Sequence, residues 1–289
     1  MPLSLADRLT LRMLRELPLH ALSRGAGWFA SRRLPGWLQR AEIRAFAALV
    51  GADLSEASEP VAAYPTLQDF FTRRLADGAR PIDPAPDALV SPCDGVWGAS
   101  GRIEAGTLLQ LKGRPYSLAA LLGSAEEAHR YEGGLFATLY LAPRDYHRFH
   151  APCDARVLRA VYLPGELFPV NRLGVEGVPG VFAENERLCT YLALPGKDVE
   201  ALCIVAVGAT LVGKVHVRFD ELTTQSGHSL VERRYDDVDL RLARGEEWGR
   251  FEFGSTLVLV AAPGTLTLDA APSGTRVRLG TRIGRIARS

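Results

Sequence analysis

Lysine is almost missing from this chain. It occurs only at positions 112, 197 and 214, so nearly all of the 34 basic residues are arginine and few side chains remain for an imine-forming lysine. Cysteine is sparse as well. Cys93, Cys153, Cys189 and Cys203 stand far apart with no C-x-x-C pair, which argues against a zinc site and for free thiols in a reducing compartment. Charge of one sign is lacking too: the net charge is +1, so no global field points to nucleic acid. No uninterrupted apolar core near the beginning marks a secretory signal. The longest charge-free runs of the later chain, 201–213 and 254–268, are too short or too broken by proline and glycine to cross a bilayer. The Gly-x-Ser-x-Gly signature of a hydrolase elbow is absent around the serine singled out below. What the chain does have is ample apolar content, 47% of 289 residues, to build a core.

Residues 1–50 hold eight arginines (8, 12, 15, 24, 32, 33, 40, 44) against three acids (7, 16, 42). Ser4 with Asp7 reads as a capping box that opens a helix. On a helix, Arg8, Arg12 and Arg15 share one face and Leu5, Leu9, Met13 and Leu17 another. Trp28, Phe29 and Trp37 follow, interleaved with Arg32 and Arg33. This is the composition of an interfacial membrane anchor; packing on its own domain or on a second copy is the competing reading. Residues 51–63 resemble a linker, and 66–75 a short capped helix. The proline-rich stretch 81–86 ends the helical part.

From Ala88 onward the signals are those of strands. The runs 133–142, 155–163, 201–212, 214–219, 256–262 and 275–284 are rich in Val, Leu, Thr and Tyr and are punctuated by Gly, Pro or Asp. The turns at Asp94-Gly95 and Gly280 to Gly284 suit small hairpins. No helical pattern alternates with the strands, so a doubly wound sheet is disfavoured. The expectation is an α+β chain: amphipathic N-terminal helices over 1–63, then a mainly antiparallel β barrel or sandwich over 64–289.

Glu252-Phe253-Gly254-Ser255-Thr256 places a serine at the head of an apolar β-branched run. Singly, it is a turn before a strand. Two histidines, His147 and His150, lie within one short segment bounded by Pro143 and Pro152, and Asp94 sits in a Pro-Cys-Asp-Gly turn. The histidines also suit exposed polar positions or paired metal ligands with Asp94 or His216, but nothing in the spacing demands a metal. If His150 is a base, it can take the Ser255 proton while Asp94 holds its ring. Ser255 Oγ stands beside the carbonyl carbon of Gly254, whose bare backbone leaves that carbon open to attack, and such an attack breaks the chain between 254 and 255.

In this order, Asp69-Phe70-Phe71-Thr72-Arg73 with Ala79-Arg80-Pro81-Ile82, Val90 to Gly95, Gln110 to Gly113 with Tyr116-Ser117-Leu118, Tyr146 to His150, Pro164 to Asn171, Val207-Gly208-Ala209 and Gly245 to Thr256 make the chain resemble the phosphatidylserine decarboxylase proenzyme family from about residue 64 onward. The departures are Cys93 before the aspartate, Phe253 before the glycine, and Phe168-Pro169. The resemblance implies autocatalytic serinolysis at Gly254-Ser255 into chains 1–254 and 255–289, with Asp94, His150 and Ser255 as the cleavage triad. It implies that Ser255 becomes a pyruvoyl group, which decarboxylates phosphatidylserine to phosphatidylethanolamine and CO2 through a Schiff base. His147 is the implied proton donor to the product carbon. It further implies a homodimer of cleaved protomers, held through residues 1–50 as a peripheral protein on the cytoplasmic face of the cell membrane. The alternatives are a serine hydrolase or esterase using the same three residues without self-cleavage, and a lipid-tethered β-barrel binding module.

Overall fold

The structure, a computed structural model, describes residues 4–109, 114–197, 199–210, 214–225, 227, 229–252 and 255–287. The motif Gln110 to Gly113, both residues of Phe253-Gly254 and the side chains of Leu5, Arg8 and Arg15 lie outside the described set.

Three helices open the chain: α1 (Leu5–Glu16), α2 (Leu19–Ala30) and α3 (Gly36–Val50). The capping box forms as expected: Asp7 N–H donates to Ser4 Oγ at 3.1 Å and Ser4 N–H to the Asp7 carboxylate at 3.0 Å. Pro18 and Pro35 stand before α2 and α3, and α3 closes on Gly51 in the left-handed conformation. Leu11 is buried, but Leu9, Met13 and Leu17 of the expected apolar stripe are exposed. Helix α4 (Leu67–Phe71) is capped by Thr66 and is only one turn long, shorter than the run 66–75 suggests. Just past its end the Thr72 carbonyl accepts from Arg148 Nε at 2.8 Å. Ile43 and Ala47 of α3 pack with Leu67 and Phe70 of α4 in one small core.

The rest is strand and short helix. In chain order these are β1 (Ala88–Val90), β2 (Gly95–Arg102), β3 (Thr107–Leu109), β4 (Pro115–Ser117), α5 (Leu118–Leu122), α6 (Ala125–Arg130), β5 (Leu135–Tyr140), β6 (Arg148–His150) and β7 (Ala155–Leu163). After them come α7 (Arg172–Gly177), α8 (Val181–Glu184), β8 (Arg187–Ala193), β9 (Glu200–Val207), β10 (Val215–Val217), β11 (Val231–Arg234) and β12 (Arg241–Leu242). The last five are β13 (Glu247–Phe251), β14 (Thr256–Ala261), β15 (Leu266–Leu268), β16 (Arg276–Val277) and β17 (Arg282–Ile286).

A nine-stranded sheet runs β11-β7-β8-β9-β14-β5-β2-β16 with β12 beside β7, every pair antiparallel. Two three-stranded sheets, β10-β13-β6 and β1-β17-β15, share a core with one of its faces. Alternation sorts the residues. Leu257, Leu259, Ile204, Ala137 and Leu139 point into that core with Phe149, Trp248, Phe251 and Ile283 of the small sheets. Val258, Val260, Val205 and Phe136 point the other way, into a second core with Leu118 and Leu121 of α5, Val175 of α7 and Val181 and Phe182 of α8. Strands β9 and β14 are continuously apolar because both faces are covered. The fold is α+β with sheets stacked as a sandwich; the large sheet does not close into a barrel.

Two expected hairpins are corrected. Asp94-Gly95 joins β1 to β2, which lie in different sheets, so it is a crossover between layers. The run 275–284 likewise splits into β16, on the large sheet, and β17, on a small one.

Candidate active site

Ser255 immediately precedes β14 and is fully buried. Its carbonyl accepts from Leu141 N–H at 2.8 Å, extending the β14–β5 ladder by one residue. Side chains alternate along that backbone, so Ser255 falls on the face of Leu257 and Leu259, toward the small sheets that carry the histidines. Among the described residues its buried Oγ has no hydrogen-bond partner. A hydroxyl in that state is costly in a folded protein and invites a functional explanation.

The segment ahead of Ser255 is pinned from several sides. Phe251 N–H donates to the His147 carbonyl at 2.9 Å, and Gln68 Nε2 of α4 to the Glu252 carbonyl at 2.9 Å. The Glu252 carboxylate meets Lys214 N–H at 3.1 Å and His216 Nε2 at 2.8 Å. His216, considered above as a metal ligand, is thus paired to the segment just before Ser255. Residues 251 and 255 are therefore held by 147 and 141 of one continuous loop, and residue 252 by Gln68, Lys214 and His216.

That loop is short because the Asp145 carboxylate accepts from Ala142 N–H at 2.8 Å and closes it. Within it His147 is fully buried. Its Nδ1 donates to the Asp145 carbonyl at 2.8 Å, which leaves Nε2 as the lone-pair nitrogen, buried and unpartnered. Phe71 of α4 stacks on the ring with centroids 4.0 Å apart. Burial, and secondarily the charge of Arg73, push His147 down to about 3, so the imidazole is neutral near pH 7.

His150, at the end of β6, donates from Nδ1 to the Gly245 carbonyl at 2.8 Å, and its Nε2 accepts from Tyr146 Oη at 3.2 Å. Burial pushes its pKa down, opposed by the Gly245 bond and by the charges of Glu247 and Asp94. The backbone N–H of His150 donates to the Pro92 carbonyl at 2.7 Å, which brings the Asp94 turn against β6. Asp94 and His150 are therefore neighbours, yet the Asp94 carboxylate is taken by Arg80, at 2.5 and 2.8 Å, and by Leu279 N–H at 2.9 Å. Arg80 in turn holds Glu56 at 2.7 Å.

So the four residues singled out from sequence gather around one loop and one strand end, but Asp94, His150 and Ser255 are not joined by hydrogen bonds. β6 and β13 can approach this closely because position 249 is glycine; a Cβ there collides with the Phe149 ring and the His216 carbonyl. Gln68, Phe71, Arg73 and Arg80 also belong to this site. Phe71, Arg73 and Arg80 lie inside the family motifs and Gln68 just before the first of them, but only the tertiary placement of α4 and of the chain just after it reveals what they touch.

The family model described as phosphatidylserine decarboxylase matches residues 67–285. A phosphatidylserine decarboxylase proenzyme of Anaeromyxobacter sp. (strain K) is 45% identical over 97% of this chain and 99% of its own. Proteins of the same name from Aliivibrio salmonicida (strain LFI1238) and Myxococcus xanthus (strain DK1622) are 42% and 39% identical, over 98% and 97% of this chain and 100% and 99% of theirs. With its site gathered on the loop before β6 and the head of β14, the chain belongs to the phosphatidylserine decarboxylase family and is a decarboxylase, a carboxy-lyase.

Proposed function

We propose that this chain cuts itself between Gly254 and Ser255, converts Ser255 to a pyruvoyl group, and then decarboxylates phosphatidylserine to phosphatidylethanolamine and CO2. The observation that carries this reading is the buried, partnerless Oγ of Ser255 at the end of a segment pinned on both sides. Ser255 Oγ attacks the Gly254 carbonyl, and the C–O bond of an ester forms as the peptide C–N bond breaks. Loss of the Ser255 α-proton then expels the 1–254 carboxylate and leaves dehydroalanine, whose enamine tautomerises to an imine that water hydrolyses to the ketone with release of ammonia. His150 Nε2, whose lone pair faces Tyr146 Oη, takes the hydroxyl proton. Asp94, anchored by Arg80, favours the protonated ring through its charge. The site suits a keto group, because the position is dry and no donor there is tied to the side-chain oxygen. When present, the pyruvoyl carbonyl supplies the electron sink that loss of CO2 from an amino acid requires. The neutral Nε2 of His147 accepts a proton from the incoming ammonium and returns it to the carbon that loses CO2.

A lipid fits the surroundings. An apolar cavity of about 520 Å³ lies between helices α2, α3 and α4 and residues 140–143, 169–171 and 209–210. Leu141, whose N–H holds the Ser255 carbonyl, lines it, as do Phe29, Phe46 and Leu67. The purified protein should resolve by mass into chains 1–254 and 255–289, the second beginning with pyruvate in place of serine. Intact Ser255 in a preparation that releases CO2 from phosphatidylserine rejects the proposal.

Residues 1–63 serve as the membrane-facing region and 64–289 as the catalytic domain. Among the described residues no helix is long and apolar enough to cross a membrane. Leu9, Met13, Leu17, Leu22, Trp28, Phe29, Trp37, Leu38 and Leu49 are nevertheless exposed, Trp28 at 71% and Trp37 at 68%. Such a concentration of exposed apolar side chains among arginines suits the anionic, cytoplasmic leaflet and a peripheral position. Deleting the whole segment also uncovers α4, so exposed side chains make the cleaner test. Trp28→Ser with Trp37→Ser should weaken binding to anionic vesicles by about tenfold per residue while self-cleavage proceeds normally. Unchanged vesicle affinity contradicts the membrane role.

A further inference from the structure

Buried arginines in this protein are otherwise saturated. Arg159 meets Glu200 at 2.6 Å and Glu127 at 2.5 Å and covers Tyr191, and Arg187 donates to the carbonyls of Ala120, Leu121 and Asn185. Arg73 is the exception. It is 4% exposed, its Nε has no partner, and among the described residues no carboxylate lies within ion-pair range. The Phe70 ring lies 4.8 Å from its guanidinium carbon. The acids whose charges reach it, Glu56 and Asp94, are already bound by Arg80 at 2.7 and 2.5 Å. Burial pushes the guanidinium below its ordinary value, as expected of a cation short of counter-charge. Removing a charge from water without a partner costs several kcal/mol, so such a group is expected to meet an anion at some point in the cycle.

Arg73 also stands beside the chemistry. It follows by two residues Phe71, which stacks on His147, and its charge is among the causes that hold His147 neutral. Resting on the substrate of the proposed function, two anions arrive here. The serine carboxylate gives up its charge as CO2 departs, so an arginine paired to it stabilises the starting state and opposes the reaction. The phosphodiester keeps its charge throughout, and its oxygens match the guanidinium fork. We propose that Arg73 is the binding residue for the phosphodiester of the lipid headgroup.

The test is steady-state decarboxylation of phosphatidylserine in mixed micelles by wild type, Arg73→Lys and Arg73→Gln. For Arg73→Gln the surface concentration at half-maximal rate should rise roughly 30-fold or more, with kcat within about threefold. Arg73→Lys, which keeps the charge but not the fork, should fall between. In parallel, sn-glycero-3-phosphoethanolamine is titrated calorimetrically into wild type and both variants, without turnover. Binding to wild type that weakens in Arg73→Lys and is lost in Arg73→Gln supports the assignment. Equal binding in all three proteins, or a fall in kcat at unchanged half-saturation, overturns it; if Arg73→Gln does not fold, Arg73→Lys carries the same comparison. Wild type that releases no CO2 fails the parent reading, whereas the calorimetric arm judges Arg73 by itself.

Discussion

Ser255→Ala is expected to remain a single 289-residue chain and to release no CO2 above background, while melting at the same temperature as an uncleaved wild-type chain or slightly higher. The two halves of that expectation come from the same atom. Ser255 Oγ is fully buried and makes no hydrogen bond, so its removal orphans no partner. Deleting an unsatisfied buried polar atom is neutral or stabilising, within about 1 kcal/mol. A structural serine behaves oppositely: its hydroxyl is paired, and truncation costs stability while sparing chemistry. Complete loss of cleavage and turnover with no loss of stability therefore identifies an atom kept for reaction alone. Gel mobility, intact mass and a thermal melt decide it. A variant that still divides at the same bond refutes the assignment of the nucleophile. A melting temperature lower by several degrees shows that Oγ has a partner and removes the main argument for its role.

The hydrogen bonds on residues 251, 252 and 255 bear on the proposed choice of this bond. They come from backbone groups of the loop after β5, from Gln68, and from Lys214 and His216. Proximity in a dry site accounts for much of the rate of an intramolecular attack. Asp94 and His150 enter less directly than a triad read from sequence suggests. Asp94 is committed to Arg80 and Leu279, and His150 to Gly245 and Tyr146. The carboxylate is thus positioned to act on the imidazole through its field.

Legibility followed physical range. The strands were readable because β9 and β14 are continuous apolar runs ended by glycine or proline, and the α1 cap because Ser4 and Asp7 are three residues apart. Hairpins at Asp94-Gly95 and around Gly280 were misread, since local turn chemistry does not say which sheet the next strand will join. Ser255, His147, His150 and Asp94 were legible as residue types in motif order. Their actual bonds were not, because a carbonyl such as that of Gly245, or an arginine such as Arg80, leaves no mark in the sequence beside its partner. Arg73 shows the limit most clearly: one arginine among many, distinguished among the described residues by a buried guanidinium Nε without a hydrogen-bond partner.

His147→Asn should cleave itself as wild type does, yet turn over about 10²- to 10⁴-fold more slowly, the range for loss of a general acid–base. Asparagine can still donate to the Asp145 carbonyl in place of Nδ1 but offers nothing at the position of Nε2. Its half-saturating substrate concentration should change little. The pH dependence supplies a second reading. Burial and the Arg73 charge hold His147 at about 3, so the proton-accepting form is present above that pH and kcat/KM should stay level as pH falls through 6.5. A phosphodiester seated on Arg73 cancels one of those causes, and the sign is fixed: with the cation offset, the pKa of His147 rises. The acid limb of kcat, which reports the substrate complex, should therefore lie at higher pH than that of kcat/KM, and the separation should shrink in Arg73→Gln. A kcat/KM limb near 6.5 that disappears in His147→Asn refutes the neutral resting state of this ring. Its proton would then be in place before substrate arrives, and the coupling between Arg73, substrate and His147 would have no part in the reaction.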